Sequence, residues 1–345
     1  MKLLLTPREF QTFPHLVHTR KYCTMQPPSP ALSLVVGAAA AAAVLLSFQR
    51  RRTTRTANAG RRIDLKSLAA ADIPPRLLVQ FYIDLDAAAS RGVEEAAFLR
   101  RAHSVVGVLD QLHAYVVDTL SARSKARDWV AVSKSHAAAH FAPDKVLGSS
   151  AALMVEPNAI VLGGTFDTRE GAIWIGPGAT VEPGTLIRGP AIIGARCTVR
   201  HGAYIRGDVV LGLGCVVGGE IKHSICLDEC ELPHHGYVGD SLLGHKAHFG
   251  CGALTANLPL FAGSLPSVSM PDDPSGTAYV LGRRKFGAVV GDGSQLGCGS
   301  VTEPGCLLGP STHAYPLSRV PRGCHGPHEI LKTRPVVERA ALVDR

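Results

Sequence analysis

Acidic residues are almost missing from the first part of this chain. Residues 1–62 hold one, Glu9, against ten Lys or Arg. That segment carries +9 while the whole chain carries +8, which leaves −1 for the remainder. The basic character belongs to a leader, and the body lacks the electrostatic footprint of a nucleic-acid binder. CxxC pairs are missing too. The nine cysteines are scattered, with Cys226 and Cys230 four apart, which argues against a zinc site and fits a reducing compartment. No two histidines lie five apart, and residues 1–150 show neither a Gly-rich nucleotide loop nor a strand-like alternation. Aromatics are scarce at 6%, while glycines number 36. Turn-dense coils around a narrow interior have this composition.

The leader reads as an address. It is Arg-rich, and a mostly apolar run, Ala31–Phe48, is followed at once by Arg50-Arg51-Arg52. This predicts organelle targeting, to a chloroplast or mitochondrion. The alternative is a membrane anchor over residues 31–48, just long enough to span, with the body facing the cytosol because more Lys and Arg follow the run than precede it.

Residues 63–150 change character. A helix is expected from Pro74-Pro75 onward, with Leu77, Leu78, Phe81, Tyr82 and Leu85 apolar. A second helical stretch, Val93–Leu120, repeats the pattern with Phe98, Leu99, Val105, Val108, Leu109, Leu112 and Val116. His136 and His140 could share a helical face, but spacing supplies no third ligand, and surface or capping roles are expected. The region carries no evident chemistry. It reads as a collar that packs on the rest of the chain or assists oligomerisation.

From residue 151 the period becomes six. Ile175, Val181, Ile187, Ile193, Val199, Ile205, Leu211 and Val217 are eight consecutive aliphatic positions at strict spacing, with glycine directly after at Gly176, Gly194, Gly212 and Gly218. Neither helix nor ordinary strand explains this period. Three hexads would make one triangular coil of about 18 residues, with the aliphatic side chain inward and the small residue at a corner. After Val217 the sixes falter, resume through Val238, Leu243 and Phe249, and break at a Pro/Ser/Gly-rich excursion, residues 259–277. They return at Val290, Leu296, Thr302, Leu308 and Ala314. Cys197, Cys215, Cys251 and Cys298 fall inside hexads, where a small thiol fills space. The expected domains are a leader (1–62), a helical region (63–150), the coil (151–320) and a tail (321–345) that caps or leaves its open end.

Polar residues that break the period must face outward. They are densest in residues 220–244, with Lys222, His223, His234, His235, Tyr237 and Asp240 within two coils. Glu220-Ile221-Lys222 is followed twelve residues after the lysine by His234, then Tyr237 and Gly239-Asp240. The block GCGALTAN ends at Asn257, and Lys285-Phe286 precedes Val290-Gly291-Asp292. The hexads resemble those of the hexapeptide-repeat acyltransferases. The spaced set resembles the glucosamine-1-phosphate N-acetyltransferase domain of the bifunctional enzyme that makes UDP-N-acetylglucosamine.

The resemblance implies a mainly β fold, a single-stranded left-handed parallel β-helix with an N-terminal helical segment. It also implies an acetyl-CoA-dependent N-acetyltransferase acting on an amino-sugar phosphate, working as a homotrimer without nucleic acid or metal. The uridylyltransferase half is missing. Carried over by position, His234 is the general base, work to which an imidazole is suited. Lys222, Lys285, Tyr237 and Arg200 hold the sugar phosphate, and Asn257 and Cys298 lie on the acetyl-CoA side. Main-chain N–H groups would stabilise the oxyanion. The chain departs from the pattern at His248, where an Asn is usual, at Leu258, where an aromatic is usual, and in its longer excursion. Two other readings stay open. Arg206-Gly207-Asp208 resembles a turn of the γ-class carbonic anhydrases, whose zinc needs two histidines five apart. A β-helix kept only for trimerisation or sugar-nucleotide sensing is the non-enzymatic alternative.

Overall fold

The computed structural model describes residues 61–126, 143–261 and 263–333. The apolar run 31–48, almost all of the leader, His136 and His140 lie outside the described residues. No helix among the described residues is long and apolar enough to cross a membrane.

The six-residue period folds as a triangular parallel solenoid. Each of its three faces is a nine-stranded sheet, and each coil gives one short strand to each face. Thr180–Val181, Leu186–Arg188 and Ala191–Ile193 make one coil, and Thr198–Val199, Tyr204–Arg206 and Val209–Leu211 the next. Every third hexad therefore stacks: Val181 pairs with Val199 and Val199 with Val217, while Ile187 pairs with Ile205 and Ile193 with Leu211. All eight aliphatic positions point inward and are at most 1% exposed. Each contributes about 1.5–3 kcal/mol by leaving water. The later members Val238, Leu243, Phe249, Val290, Leu296, Thr302, Leu308 and Ala314 join the same interior. The glycines after the aliphatic residues are needed at the corners. A Cβ on Gly194 would stand 2.4 Å from the carbonyl oxygen of Gly212 on the next coil. The sixes falter after Val217 because that corner is cut to Gly218-Gly219 before the strand Glu220–Lys222 begins.

The coil runs past both expected bounds. It starts at Lys145–Leu147 and continues through Arg319–Val320, Gly323–His325 and Ile330–Leu331. What read as a tail adds Gly323–His325 to the third face and Ile330–Leu331 to the first. The excursion is likewise longer than its composition suggests. It leaves the second face after Leu254–Thr255 and rejoins the third at Ala288–Val290. Within it Ser267–Ser269 pairs antiparallel with Ala278–Val280, and Arg62–Asp64 joins that pair in parallel. Phe286 N donates to Asn257 O at 2.9 Å and closes its base.

The collar covers the third face. Its strands carry three apolar residues in a row, as in Ile173–Ile175, Ala191–Ile193 and Val209–Leu211, so both sides are buried. The outward column of Met154, Trp174, Ile192, Val210, Ile225 and Leu242 packs against Leu77, Tyr82, Phe98, Leu99, Leu109, Leu112 and Val116. One expected helix is absent. The segment after Pro74 makes two single 3-10 turns, Pro75–Leu77 and Val79–Phe81, before helix α1 (Leu85–Ser90), which Asp84 caps by accepting from Ala87 N. The second stretch splits at His103, with φ 62°, into α2 (Ala96–Ala102) and α3 (Val105–Ala126).

Candidate active site

Glu220–Lys222, Tyr237–Gly239 and Leu254–Thr255 are consecutive strands of the second face. Glu220 pairs with Tyr237, Lys222 with Gly239, and Tyr237 with Leu254. Lys222 and Tyr237 thus rise from neighbouring coils on one outward surface. The Tyr237 phenol runs along its own strand, and a Cβ on Gly239 would stand 2.2 Å from its hydroxyl. Asn257, where the excursion departs, donates through Nδ2 to the Tyr237 hydroxyl at 2.9 Å and to Asp240 Oδ2 at 2.6 Å. A carboxylate accepts, so the amide nitrogen must face Asp240, and both amide hydrogens are used. Among the described residues this leaves Asn257 Oδ1 as a free acceptor and the Tyr237 O–H as a free donor. Burial, with the Asp240 charge adding to it, pushes the Tyr237 phenol up, so it keeps its proton.

Asp240 is buried, and Arg283 of the excursion reaches it at 3.6 Å. The same arginine pairs with Asp110 of α3 at 2.5 Å and donates through Nε to Lys285 O at 3.2 Å. Lys285 is exposed and immediately precedes Phe286, whose N–H bonds Asn257 O. Lys285, Asn257, Asp240 and Tyr237 form one neighbourhood.

His234 sits on the same coil as Tyr237, at the corner between the first and second faces. It is exposed, and among the described residues its ring has no hydrogen-bond partner. It lines an open groove of about 360 Å³ with Arg200, His201, His235 and Cys251. Arg200 is brought beside it, but its guanidinium donates to Pro233 O at 3.1 Å and so braces the corner. Cys298 is exposed on the coil after Cys251. The proposed site residues therefore fall into two groups on one surface, with Arg200, His234 and Cys298 at the corner and Lys222, Tyr237, Asn257 and Lys285 toward the excursion. His248 belongs to neither; it faces out from the first face and bonds Glu231 at 2.9 Å. Leu258 is exposed at the start of the excursion.

The role of Asp208 was not legible from residue spacing. It accepts from His113 of α3 at 2.6 Å and lies 3.3 Å from His223 Nδ1, while His223 Nε2 lies 2.9 Å from Leu109 O and 3.1 Å from Arg283. Burial pushes the Asp208 carboxyl up, but the bonds from the two histidines outweigh it and hold the group below its ordinary value. Arg206 pairs with Glu220 at 2.5 Å. The Arg-Gly-Asp turn thus docks the helical collar. Among the described residues no cluster of His, Cys, Asp and Glu is arranged to hold a metal ion.

The fold is a left-handed parallel β-helix of hexapeptide repeats, the class shared by the hexapeptide-repeat acyltransferases. Residues 172–207 match the family described as bacterial transferase hexapeptide (six repeats). The bifunctional protein GlmU of Methanococcus vannielii is 38% identical over 95 residues, 26% of this chain and 20% of that protein. The bifunctional sugar-1-phosphate nucleotidylyltransferase/acetyltransferase of Sulfurisphaera tokodaii is 32% identical over 103 residues, 30% of this chain and 24% of that one. The matched stretches span a quarter or less of these relatives' own lengths. A solved structure of the polysialic acid O-acetyltransferase OatWY overlays 58% of this chain and 95% of that one at 12% identity with a TM-score of 0.24, too low to bear on function.

Proposed function

We propose that this chain is an acyltransferase that moves the acetyl group of acetyl-CoA onto the amine of an amino-sugar phosphate of the glucosamine-1-phosphate kind. One observation carries the reading: Tyr237 and Asp240, on the coil that also carries His234, are locked by hydrogen bonds to Asn257 of the next coil. These are positions of the spaced set described above, and one relative is named a bifunctional sugar-1-phosphate nucleotidylyltransferase/acetyltransferase. In this reading the amine nitrogen attacks the thioester carbon while His234 takes its proton. The carbon–sulfur bond then breaks, and the protonated imidazole returns the proton to the departing thiolate. Lys222, Lys285 and the Tyr237 O–H hold the phosphate, and Asn257 Oδ1 accepts from the nascent amide N–H. Exposed His234 and Lys285 would gain a wall from a neighbouring copy, so the working unit is a homotrimer with sites between subunits.

The test is thiol release from acetyl-CoA with glucosamine-1-phosphate, then with other amino-sugar phosphates. Release with any of them supports acetyl transfer and names the acceptor. Acetyl-CoA binding without release, or no binding at all, would move the reading to a non-enzymatic trimer. That alternative draws on His248, already engaged by Glu231, and on exposed Leu258.

A further inference from the structure

Of the eight cysteines among the described residues, six are buried; Cys251 and Cys298 are exposed. Each sits in the same tripeptide, Gly250-Cys251-Gly252 and Gly297-Cys298-Gly299, at the turn from the first face to the second. The second glycine of each has a left-handed backbone, φ 72° at Gly252 and 68° at Gly299. Because Phe249 pairs with Leu296, the two turns stack directly, and Gly299 N donates to Cys251 O at 2.8 Å. The Cys298 sulfur lies 2.9 Å from where a Cβ on Gly250 would be, so its thiol leans back toward the coil that carries Cys251. Neighbouring strands stand about 4.8 Å apart, inside the Cα separation of about 4.4–6.8 Å that a disulfide spans.

A second feature points the same way. Glu231 pairs with His248, which stacks the corner holding His234 on the turn holding Cys251, and both line one groove. Cys251 is exposed in that groove, so a small-molecule disulfide can reach it there. Burial pushes the Cys215, Cys226 and Cys230 thiols up and keeps them from competing.

We propose that Cys251 and Cys298 are a dithiol pair that a small-molecule disulfide, such as oxidised glutathione, closes into an intrachain disulfide. The Cys251 thiolate attacks one sulfur of the oxidant, releasing one reduced thiol and leaving a mixed disulfide. The Cys298 thiol loses its proton and attacks the Cys251 sulfur, releasing the second reduced thiol. The protein loses two hydrogens, and the oxidant is reduced to two thiols. The inference stands on geometry and does not depend on acetyl transfer.

The experiment uses the full chain with Cys23→Ser, folded and reduced, and counts maleimide adducts by intact mass before and after oxidised glutathione. Two adducts are expected before and none after, with a non-reducing digest joining the peptides of Cys251 and Cys298. Adding Cys298→Ser should stop the reaction at a glutathione adduct on Cys251. Two adducts persisting after oxidation would overturn the proposal, as would a glutathione adduct that accumulates while both cysteines are present, or a disulfide joining two chains.

Discussion

The amide nitrogen of Asn257 lies 2.9 Å from the hydroxyl of Tyr237, although the two residues belong to successive coils. Neither could hold that contact alone. Tyr237 is aimed by the absence of a side chain at Gly239, and Asn257 is aimed by the second acceptor, Asp240.

Asp240→Asn should therefore loosen the Asn257 amide without emptying the site. A hydrogen bond to a charged group contributes about 1.5–3 kcal/mol. The acceptor KM is expected to rise about tenfold or more, a tenfold change being about 1.4 kcal/mol, with acetyl-CoA affinity unchanged. Steady-state kinetics with each substrate varied separately checks this; an unchanged acceptor KM would detach Asp240 from the site.

His234→Ala should lower turnover by about 10²–10⁴, the usual share of a general base, and leave acetyl-CoA binding nearly unchanged. His235→Ala should do far less. Equal losses in both variants, measured by thiol release, would undo the assignment of the base to His234.

Glu95, buried under the collar, sets a pH dependence. Burial, with the Glu94 and Asp228 charges adding to it, pushes its carboxyl up to about 7 from 4.5. The folded state therefore holds a proton that the unfolded state has released between those values. Stability from this group is full below about 4.5 and falls as pH rises toward about 7. The loss is on the order of 3 kcal/mol at about 1.4 kcal/mol per unit. Glu95→Gln should flatten that slope and be the more stable protein at pH 8, by urea denaturation at several pH values; a parallel slope in both proteins would refute it.

The solenoid interior should be sensitive in both directions. Ile193→Ala should cost about 2–5 kcal/mol by leaving a cavity. Gly194→Val should cost about 1–3 kcal/mol or more, because its Cβ would meet the Gly212 carbonyl. Denaturation midpoints of the two variants against the parent chain test both.

Light scattering at micromolar concentration should give a trimer mass. A clean monomer would remove the shared-site part of the functional reading.

What the sequence by itself determined is whatever repeats locally. One inward aliphatic residue per hexad and a small residue at the corner are conditions each coil imposes on its own segment. The period therefore named the eight inward positions, and it returned correctly after the excursion. The conditions that are not local stayed hidden. The first stretch after Pro74 has apolar residues at helical spacing, yet Leu77 and Tyr82 are satisfied by packing on the third face from 3-10 turns. Among the last strands, Gly323 and His325 take the register positions that Cys306 and Leu308 hold one coil earlier, so no aliphatic residue marks the period there. The spaced motif brought His234, Tyr237, Asn257 and Lys285 into view as a set, but only stacking decided who touches whom: Asn257 locked on Tyr237 and Asp240, Arg200 spent on Pro233 O, His248 engaged by Glu231. The pairing of Asp208 with His113 joins a coil corner to a helix far away in the chain. A solenoid's core is written residue by residue along the chain, whereas its surface chemistry arises between coils and against the collar, where contact follows three-dimensional register and not sequence spacing.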